Sequence, residues 1–194
     1  MTVQTLRGQI LTQRRQLSPF EQTHAAQRVA QQFASHPLFH RSQHIAFYLA
    51  NDGELDPTPL LQLAWQQKKT CYLPVLHPLS LNRLWFMSYA SGDKLYPNRY
   101  GILEPPIHAQ RLFPAWALQL VLTPLVAFDT QGHRLGMGGG FYDRTFAFLK
   151  YHRHRSHPYL VGLAYEFQKI NHLTPNPWDV SLQGIVTENQ MYFP

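Results

Sequence analysis

The glycine-dense stretch at residues 136–140, GMGGG, constrains the fold of this chain more than any other feature. It follows the apolar residues 120–122 and leads into a segment that we predict to be helical from Phe141. Apolar strands that end in glycines ahead of a helix are typical of α/β proteins, which present bare backbone N–H groups to an anion in this way. The stretch therefore predicts an α/β fold that binds a phosphate group at this loop.

The loop differs from the two best-known phosphate motifs. Read as G-x-G-x-x-G from Gly136, the third glycine position holds Phe141, and no Gly-Lys-Ser/Thr follows, as a P-loop requires. One or two glycines suffice for a tight turn, and each further glycine costs roughly 0.5–1 kcal/mol of ordering entropy. A merely flexible loop is the alternative, but the glycine density favours a function that uses the backbone.

Periodicity and turn signals predict the other elements. The residues Ser18 to Glu21 form a capping-box sequence with proline at the first turn, which predicts the start of a helix. Helices are predicted at residues 2–16, 19–33, 56–65 and 141–151. Strands are predicted at residues 44–50, 70–75, 83–89, 120–122, 159–164 and 182–187, with a proline-rich loop at residues 91–115. Together they predict a mainly parallel sheet with helices on both faces, a Rossmann-like three-layer fold.

Length and composition predict a single domain over residues 1–194. A chain of 194 residues is long enough to bury roughly 70% of its unfolded surface in one core. The lone Cys71 excludes an intramolecular disulfide framework and suits a reducing compartment. The N-terminus is polar, and no apolar run approaches the ~20 residues of a membrane helix. We therefore expect a soluble, cytoplasmic protein.

Several polar residues lie where α/β proteins bind ligands. Glu54 follows the first predicted strand, and Arg134 precedes the glycines, where it can meet a phosphate bidentately. Asp143 lies in the first turn of a predicted helix, where it either complements the helix dipole or holds Mg²⁺ against phosphate oxygens. Asp56 at a helix start and Asp129 in the turn sequence DTQG are assigned structural roles.

The segment YHRHRSH at residues 151–157 has the composition of a metal-binding tract. However, His152 and His154 are two residues apart, which places them on opposite sides of a strand and about 200° apart on a helix. No cysteine accompanies them. We interpret the segment as a solvated loop.

An ordered block of residues around the glycines resembles the 5-formyltetrahydrofolate cyclo-ligases, also called methenyltetrahydrofolate synthetases. The block consists of Pro124, Ala127, Phe128, Asp129, Gly132, Arg134, Leu135, Gly136, Gly138, Gly140, Tyr142, Asp143 and Arg144. The resemblance extends outward to residues 53–56, 72–74 and 104–105 and to Asp179, and the bacterial branch of the family is the most similar.

The resemblance implies an ATP- and Mg²⁺-dependent cyclisation of 5-formyltetrahydrofolate to 5,10-methenyltetrahydrofolate, with release of ADP and phosphate. It implies catalytic roles for Arg134 and Asp143, and Mg²⁺ ligation by Asp143 and Asp179. Folate contacts are implied for Glu54, Met137, Gly138, Gly139, Gly140 and Phe141. ATP contacts are implied for Val3, Arg7, Arg134, Leu135, Gly136, Met137, Gly138, Gly139, Gly140, Phe141 and Tyr142.

The chain departs from the family pattern at three places. Val3 stands where the family has a lysine that reaches the ATP phosphates, so either Arg14 or Arg15 helps from another turn or the glycine loop carries more of the binding. Phe141 replaces a frequent tyrosine, which leaves only ring stacking. Met137 and Gly139 leave the loop without the lysine of some members, so we expect a lower ATP affinity.

The net charge of +6 and the pI near 9.6 fit several kinds of acidic partner. Basic residues are spread from Arg7 to Lys169, so ATP and the glutamate tail of a folate, including a polyglutamylated one, explain the charge as well as nucleic acid does. The alternative function is a nucleotide- or RNA-binding module without catalysis. A sugar-phosphate isomerase would need a catalytic base in the loop, which residues 136–140 do not supply. We expect a monomer that binds neither membrane nor nucleic acid.

Overall fold

An eight-stranded sheet is the centre of the computed structural model, which describes residues 2–151 and 158–194. Its strands and those of two small ribbons are, in chain order, β1 (His44–Ala46), β2 (Thr70–Leu76), β3 (Leu84–Ser88), β4 (Tyr96–Pro97), β5 (Leu103–Glu104), β6 (Leu112–Phe113), β7 (Leu120–Pro124), β8 (Ala127–Phe128), β9 (Arg134–Leu135), β10 (Tyr159–Leu163), β11 (Gly184–Val186) and β12 (Met191–Tyr192). The order across the sheet is β12-β11-β10-β7-β1-β2-β3-β6, and β4–β5 and β8–β9 form the ribbons.

The five strands from β11 to β2 are parallel. The edge strands β12, β3 and β6 join antiparallel. Parallel neighbours need crossover connections, and their carboxyl ends then meet along one edge of the sheet. The predicted α/β fold with a mainly parallel sheet is confirmed.

The helices are α1 (Val3–Gln16), α2 (Pro19–Ala34), α3 (Pro37–Arg41), α4 (Thr58–Gln66) and α5 (Phe141–Phe146). The predicted capping box is present at the start of α2, because the Ser18 side chain accepts from the Glu21 N–H and the Glu21 carboxylate accepts from the Ser18 N–H. Asp56 accepts from the backbone N–H and the hydroxyl of Thr58 at the start of α4, in the structural role that was predicted.

Alternating side chains divide the core between the two faces of the sheet. On one face Ile45 packs with buried residues of α2, α3 and α4, among them Phe33 and Phe39. On the other face Ala46 packs with Phe146 of α5. Each large apolar side chain buried in this way contributes about 1.5–3 kcal/mol. The faces are covered unequally, since three helices lie on one side and a single short helix with irregular chain on the other.

Helix α1 lies apart from these two clusters. Its Ile10 is buried against Val126 and Ala127, next to the β8–β9 ribbon. This packing brings Arg7 and Arg14 of the same helix to the edge where the parallel strands end.

Several predicted boundaries were wrong. Strand β1 ends at Ala46 rather than residue 50, and α5 ends at Phe146, where a 3-10 turn, Ala147–Lys150, replaces the predicted helix. The segment predicted as loop, residues 91–115, contains β4, β5 and β6, and β12 follows the strand predicted to be last. Strand β6 exists through a partner distant in the chain, because Leu112 pairs with Met87, so its local pattern does not reveal it.

Residues 152–157, which hold most of the histidine-rich segment, lie outside the described residues. Among the helices that the structure describes, none has the length and apolarity needed to cross a membrane.

Candidate active site

A cavity of about 1140 Å³ opens where the parallel strands end. Its floor includes residues that follow β1 and β7, Leu49 and Leu125, and the last residues of β2. Around them stand α1, the turn at residues 51–54, the glycine loop, α5 and the turn at residues 176–179. Open α/β sheets bind their ligands at this edge, as the sequence predicted.

All five residues of the glycine loop, 136–140, line the cavity. Gly138 and Gly140 have φ angles of +97° and +65°, a backbone conformation that residues other than glycine rarely adopt. Within the described residues, no backbone N–H of residues 136–140 donates a hydrogen bond. Several unpaired donors next to one cavity form a site for an anion.

Two arginines hold the loop by its carbonyl groups. Arg7 donates from Nε to the Gly136 carbonyl at 3.0 Å, and Arg144 donates from Nη1 to the Gly139 carbonyl at 2.7 Å. Both arginines also line the cavity. The loop therefore has a fixed position although it consists almost entirely of glycine.

Arg134 and Asp143 form an ion pair at one end of the cavity, with Nη2 2.6 Å from Oδ1. The same Asp143 oxygen accepts from the Val180 N–H at 3.1 Å, and Arg134 Nη1 donates to the Val180 carbonyl. The Arg134 side chain is 7% exposed. Arg134 thus fixes the position of Asp143 and ties α5 to the segment that begins with Asp179.

Asp179 immediately precedes Val180, which bonds both members of this pair, and it lines the same cavity. Its Oδ2 accepts from the backbone N–H and the side-chain amide of Asn176, at 2.8 and 3.2 Å. Lys150 holds the turn by donating to the Pro177 and Asp179 carbonyls. The structure therefore brings Asp143 and Asp179, which are 36 residues apart in sequence, to one cavity.

Glu54 lines the same cavity, on the turn that follows β1. Its Oε2 accepts from the Asn51 N–H at 3.1 Å. Burial raises the pKa of Glu54 to about 7, and the nearby charge of Arg14 acts against this rise. Desolvation raises the pKa values of the buried Tyr48 and the half-buried Tyr142, and the nearby charge of Glu54 raises both further. This wall combines a titratable carboxylate with low solvent access, which is common in functional sites.

The sequence model of the 5-formyltetrahydrofolate cyclo-ligase family matches residues 2–188. The chain belongs to this family. It is 38% identical over 183 residues to 5-formyltetrahydrofolate cyclo-ligase of Escherichia coli strain K12, covering 94% of this chain and 98% of that protein. It is 40% identical over 183 residues to the cyclo-ligase of Haemophilus influenzae, covering 94% and 96%. The resemblance recognised from the glycine block is confirmed.

Solved structures agree with this assignment. An NMR structure of 5,10-methenyltetrahydrofolate synthetase from Aquifex aeolicus superposes with a TM-score of 0.82 at 31% identity, covering 100% of this chain and 93% of that one. A 5,10-methenyltetrahydrofolate synthetase from Mycoplasma pneumoniae gives a TM-score of 0.73 at 25% identity, covering 97% and 99%.

Most residues that the cyclo-ligase resemblance implied for the site line this one cavity. They are Arg7, Glu54, Arg134, Leu135, Gly136, Met137, Gly138, Gly139, Gly140, Phe141, Tyr142, Asp143 and Asp179. Val3 is placed differently, since it lies at a second, smaller cavity of about 470 Å³ that shares Arg134, Leu135 and Asp179 with the first. Arg134 lines the cavity while bonding Asp143, and its contact with a phosphate stays a prediction.

The aromatic candidates of the cyclo-ligase sequence divide clearly. Tyr100 lines the cavity and meets the Phe141 ring edge-on, with centroids 6.0 Å apart. The strand residues Tyr72, Trp85, Phe86 and Tyr89 do not line it.

Arg14 is the functional candidate that sequence reasoning underrated. It was considered only as a possible helper at the phosphates, but it is 1% exposed and lines the cavity beside Glu54. A signal was present, because Arg14 follows the buried Ile10 by one helical turn and so lies on the face of α1 that packs inward.

Proposed function

We propose that this protein is an ATP- and Mg²⁺-dependent ligase that cyclises 5-formyltetrahydrofolate to 5,10-methenyltetrahydrofolate. The observation that carries the proposal is the family match over nearly the whole chain. It is supported by a single cavity that contains both an anion-binding loop and a buried carboxylate. The family relationship implies ATP as the co-substrate.

The reaction proceeds in two steps. The formyl oxygen of the substrate attacks the γ-phosphorus of ATP, the bond to ADP breaks, and a formyl phosphate-type intermediate forms. The neighbouring folate nitrogen N10 then attacks the formyl carbon and closes the ring. The bond from that carbon to the phosphate oxygen breaks, and the N10 proton leaves with the phosphate. Such phosphoryl transfer depends on alignment and charge neutralisation more than on a protein nucleophile.

We assign the phosphate groups to the backbone of residues 136–140, with Arg7 beside them. Their unpaired N–H groups donate to the phosphate oxygens without prior rearrangement, because Arg7 and Arg144 already hold the loop carbonyls. Preorganised donors of this kind favour the charge that develops during the transfer. Leu135 and Tyr142 complete the ATP wall, and Val3 contacts the nucleotide from the adjoining smaller cavity.

Asp143 and Asp179 would hold Mg²⁺. Each uses one carboxylate oxygen for hydrogen bonds and has no protein donor on the other within the described residues. Mg²⁺ is usually held by one or two carboxylates, water and substrate phosphates, so two acids fit it. When bound, the ion supplies positive charge to the phosphate oxygens. Arg134 orients Asp143 by bonding its Oδ1, which leaves Oδ2 available at this position.

The folate binds in the other half of the cavity. Glu54 accepts hydrogen bonds from the N–H groups of the pterin ring, and Phe141 and Met137 give it apolar contacts. We propose that residues 1–194 act as one domain and as a monomer, in the cytoplasm where Cys71 stays reduced, and that polyglutamylated folates are accepted.

The near-ultraviolet absorbance of the methenyl product tests the proposal directly. Purified protein with 5-formyltetrahydrofolate, ATP and Mg²⁺ is expected to give a rise in absorbance, which stops when ATP is omitted or EDTA is added. Absence of an ATP-dependent rise would contradict the proposal. If that protein also bound RNA with a log–log salt slope of about 0.7–0.9 per phosphate contact, the alternative binding module would be favoured.

A further inference from the structure

Arg14 is a fully buried charge that the cyclisation chemistry described above does not use. Its Nε donates to the Asp52 carbonyl at 2.9 Å. Its Nη1 and Nη2 have no hydrogen-bond partner among the described residues, although both are buried. Nη2 lies 3.6 Å from Asp52 Oδ2, a distance that allows electrostatic attraction but is too long for a hydrogen bond.

Unpaired guanidinium donors inside a protein are rare, because buried polar groups almost always have partners and arginine has five donors to satisfy. The Arg14 side chain also lines the large cavity. We conclude that a molecule that fills the cavity supplies the missing acceptor.

Arg14 and Glu54 are joined through the turn at residues 51–54. Arg14 donates a hydrogen bond to the Asp52 carbonyl in this turn. Arg15 donates two hydrogen bonds of 2.7 Å to the Asp52 carboxylate from the solvent side. Asp52 has a φ of +50°, which shows how tightly the turn bends before Glu54. The charge of Arg14 acts directly on Glu54. This side of the cavity thus places the free donors of Arg14 next to the Glu54 carboxylate, an acceptor.

We propose that Arg14 donates to the 4-oxo group of the substrate's pterin ring while Glu54 accepts from the ring N–H groups beside that oxygen. This inference rests on the proposed function. The edge of a pterin ring presents a carbonyl acceptor next to an N–H and an amino group. Glu54 alone would also accept a ring that carries an amino group in place of the 4-oxo group. Arg14 is therefore the residue that determines specificity for 4-oxo folates.

The test compares the binding of 5-formyltetrahydrofolate and of its 4-amino counterpart to the intact protein. The wild-type protein is expected to prefer the 4-oxo compound at least tenfold, because two donors would face each other in the 4-amino complex. Arg14→Met should weaken 4-oxo binding about 10- to 100-fold, as for the loss of a charged hydrogen bond, and bring the two affinities within about threefold. The KM for ATP should stay within about twofold.

Arg15→Ala is the matched control, because Arg15 is adjacent, binds the same aspartate and is exposed. It should leave the preference unchanged. If Arg14→Met does not fold, Arg14→Lys replaces it, since the stem and charge are kept while the planar pair of donors is lost. This variant should reduce the preference at least threefold.

A purely structural role of Arg14 would weaken both compounds equally and keep the preference, and that result would overturn the inference. A wild-type protein without any preference would overturn it as well. These outcomes are separable from failure of the proposed function, because the absorbance assay on the wild-type protein reports cyclisation independently of which ring the pocket prefers.

Discussion

The charged side chains on the two sides of the cavity differ in how fully they are paired. On the glycine-loop side, Arg134 is paired with Asp143, and Arg7 and Arg144 bind loop carbonyls. On the other side, Arg14 has two buried nitrogens without partners, and Glu54 is buried enough for its pKa to reach about 7. On the first side the arginine side chains are already bonded, and the backbone N–H groups of residues 136–140 are the donors left for a ligand. On the second side the donors left without a partner belong to the Arg14 side chain itself.

The difference matches the two ligands. ATP is highly charged, and fixed N–H groups replace its hydration at little reorganisation cost. A pterin ring is flat and uncharged, so the protein recognises it through buried hydrogen-bonding groups. Leaving such a group without a partner costs more binding free energy than a correct hydrogen bond contributes, so a wrong ring is rejected strongly. We therefore expect the glycine-loop side to determine mainly the reaction rate, and the side with Arg14 and Glu54 to determine mainly the selectivity for the substrate.

The largest expected effect comes from Asp143→Asn, which neutralises the proposed Mg²⁺ ligand and the partner of Arg134 on the glycine-loop side. We expect kcat to fall roughly 10²–10³-fold, as for the loss of one preorganised electrostatic group, while the protein remains folded. The absorbance assay measures the rate, and circular dichroism measures the fold.

Asp93→Asn is the control for this experiment, because Asp93 also pairs with an arginine, Arg111, but does not line the cavity. Its kcat should match the wild type. An Asp143→Asn protein that is active and still requires Mg²⁺ would rule out the metal role.

A smaller effect is expected for Gly138→Ala. The added methyl group would make only an ordinary contact, with Arg7 Nη2 at 3.9 Å, but the φ of +97° is strained for alanine and the loop would shift, at about 1–2 kcal/mol. We expect the KM for ATP to rise about tenfold with less change in the KM for folate. Steady-state kinetics with each substrate varied in turn measures both values.

Gly92→Ala separates loop position from backbone strain. Gly92 has a similar φ of +88° with open space around it, and it does not line the cavity. This variant should lose comparable stability in urea unfolding and keep the wild-type KM for ATP. Equal changes in KM in both variants would show that the glycine loop does not hold the nucleotide.

The last comparison concerns stability rather than catalysis, on the side of the cavity that contains Glu54. Burial raises the pKa of Glu54 from 4.5 to about 7, so the folded state holds its proton more tightly than the unfolded state does. The associated stability is present below pH 4.5 and is lost as the pH rises through 7. Glu54→Gln should therefore unfold at higher urea than the wild type at pH 8, by roughly 2–3 kcal/mol, with little difference near pH 4.

Glu166→Gln should behave in the opposite way. Bonds from Thr187, Tyr192 and Lys169 outweigh burial and lower the pKa of Glu166, so its stability is present above the unfolded pKa and is lost at acid pH. This variant should be less stable than the wild type at pH 8.

In kinetics, the folate KM of the wild type should rise below pH 7 as Glu54 is protonated, and Glu54→Gln should lack this rise.

Much of the fold could be predicted because its signals are local. The capping box at Ser18, the helix start at Asp56 and the Asp129 turn each depend on residues a few positions apart, and the structure contains all three. Strand β6 was missed because its pairing with Met87 joins residues far apart in the chain.

The sequence by itself determined the α/β fold, the family and the glycine loop, since hydrophobic periodicity, turn chemistry and an ordered motif are properties of neighbouring residues. Tertiary structure alone decided that Arg134 faces Asp143, that Asp179 joins them, and that Arg14 enters the core with two nitrogens unpaired. Ion pairs, burial and pKa shifts arise between segments that meet only after the chain has folded, and no local pattern contains them.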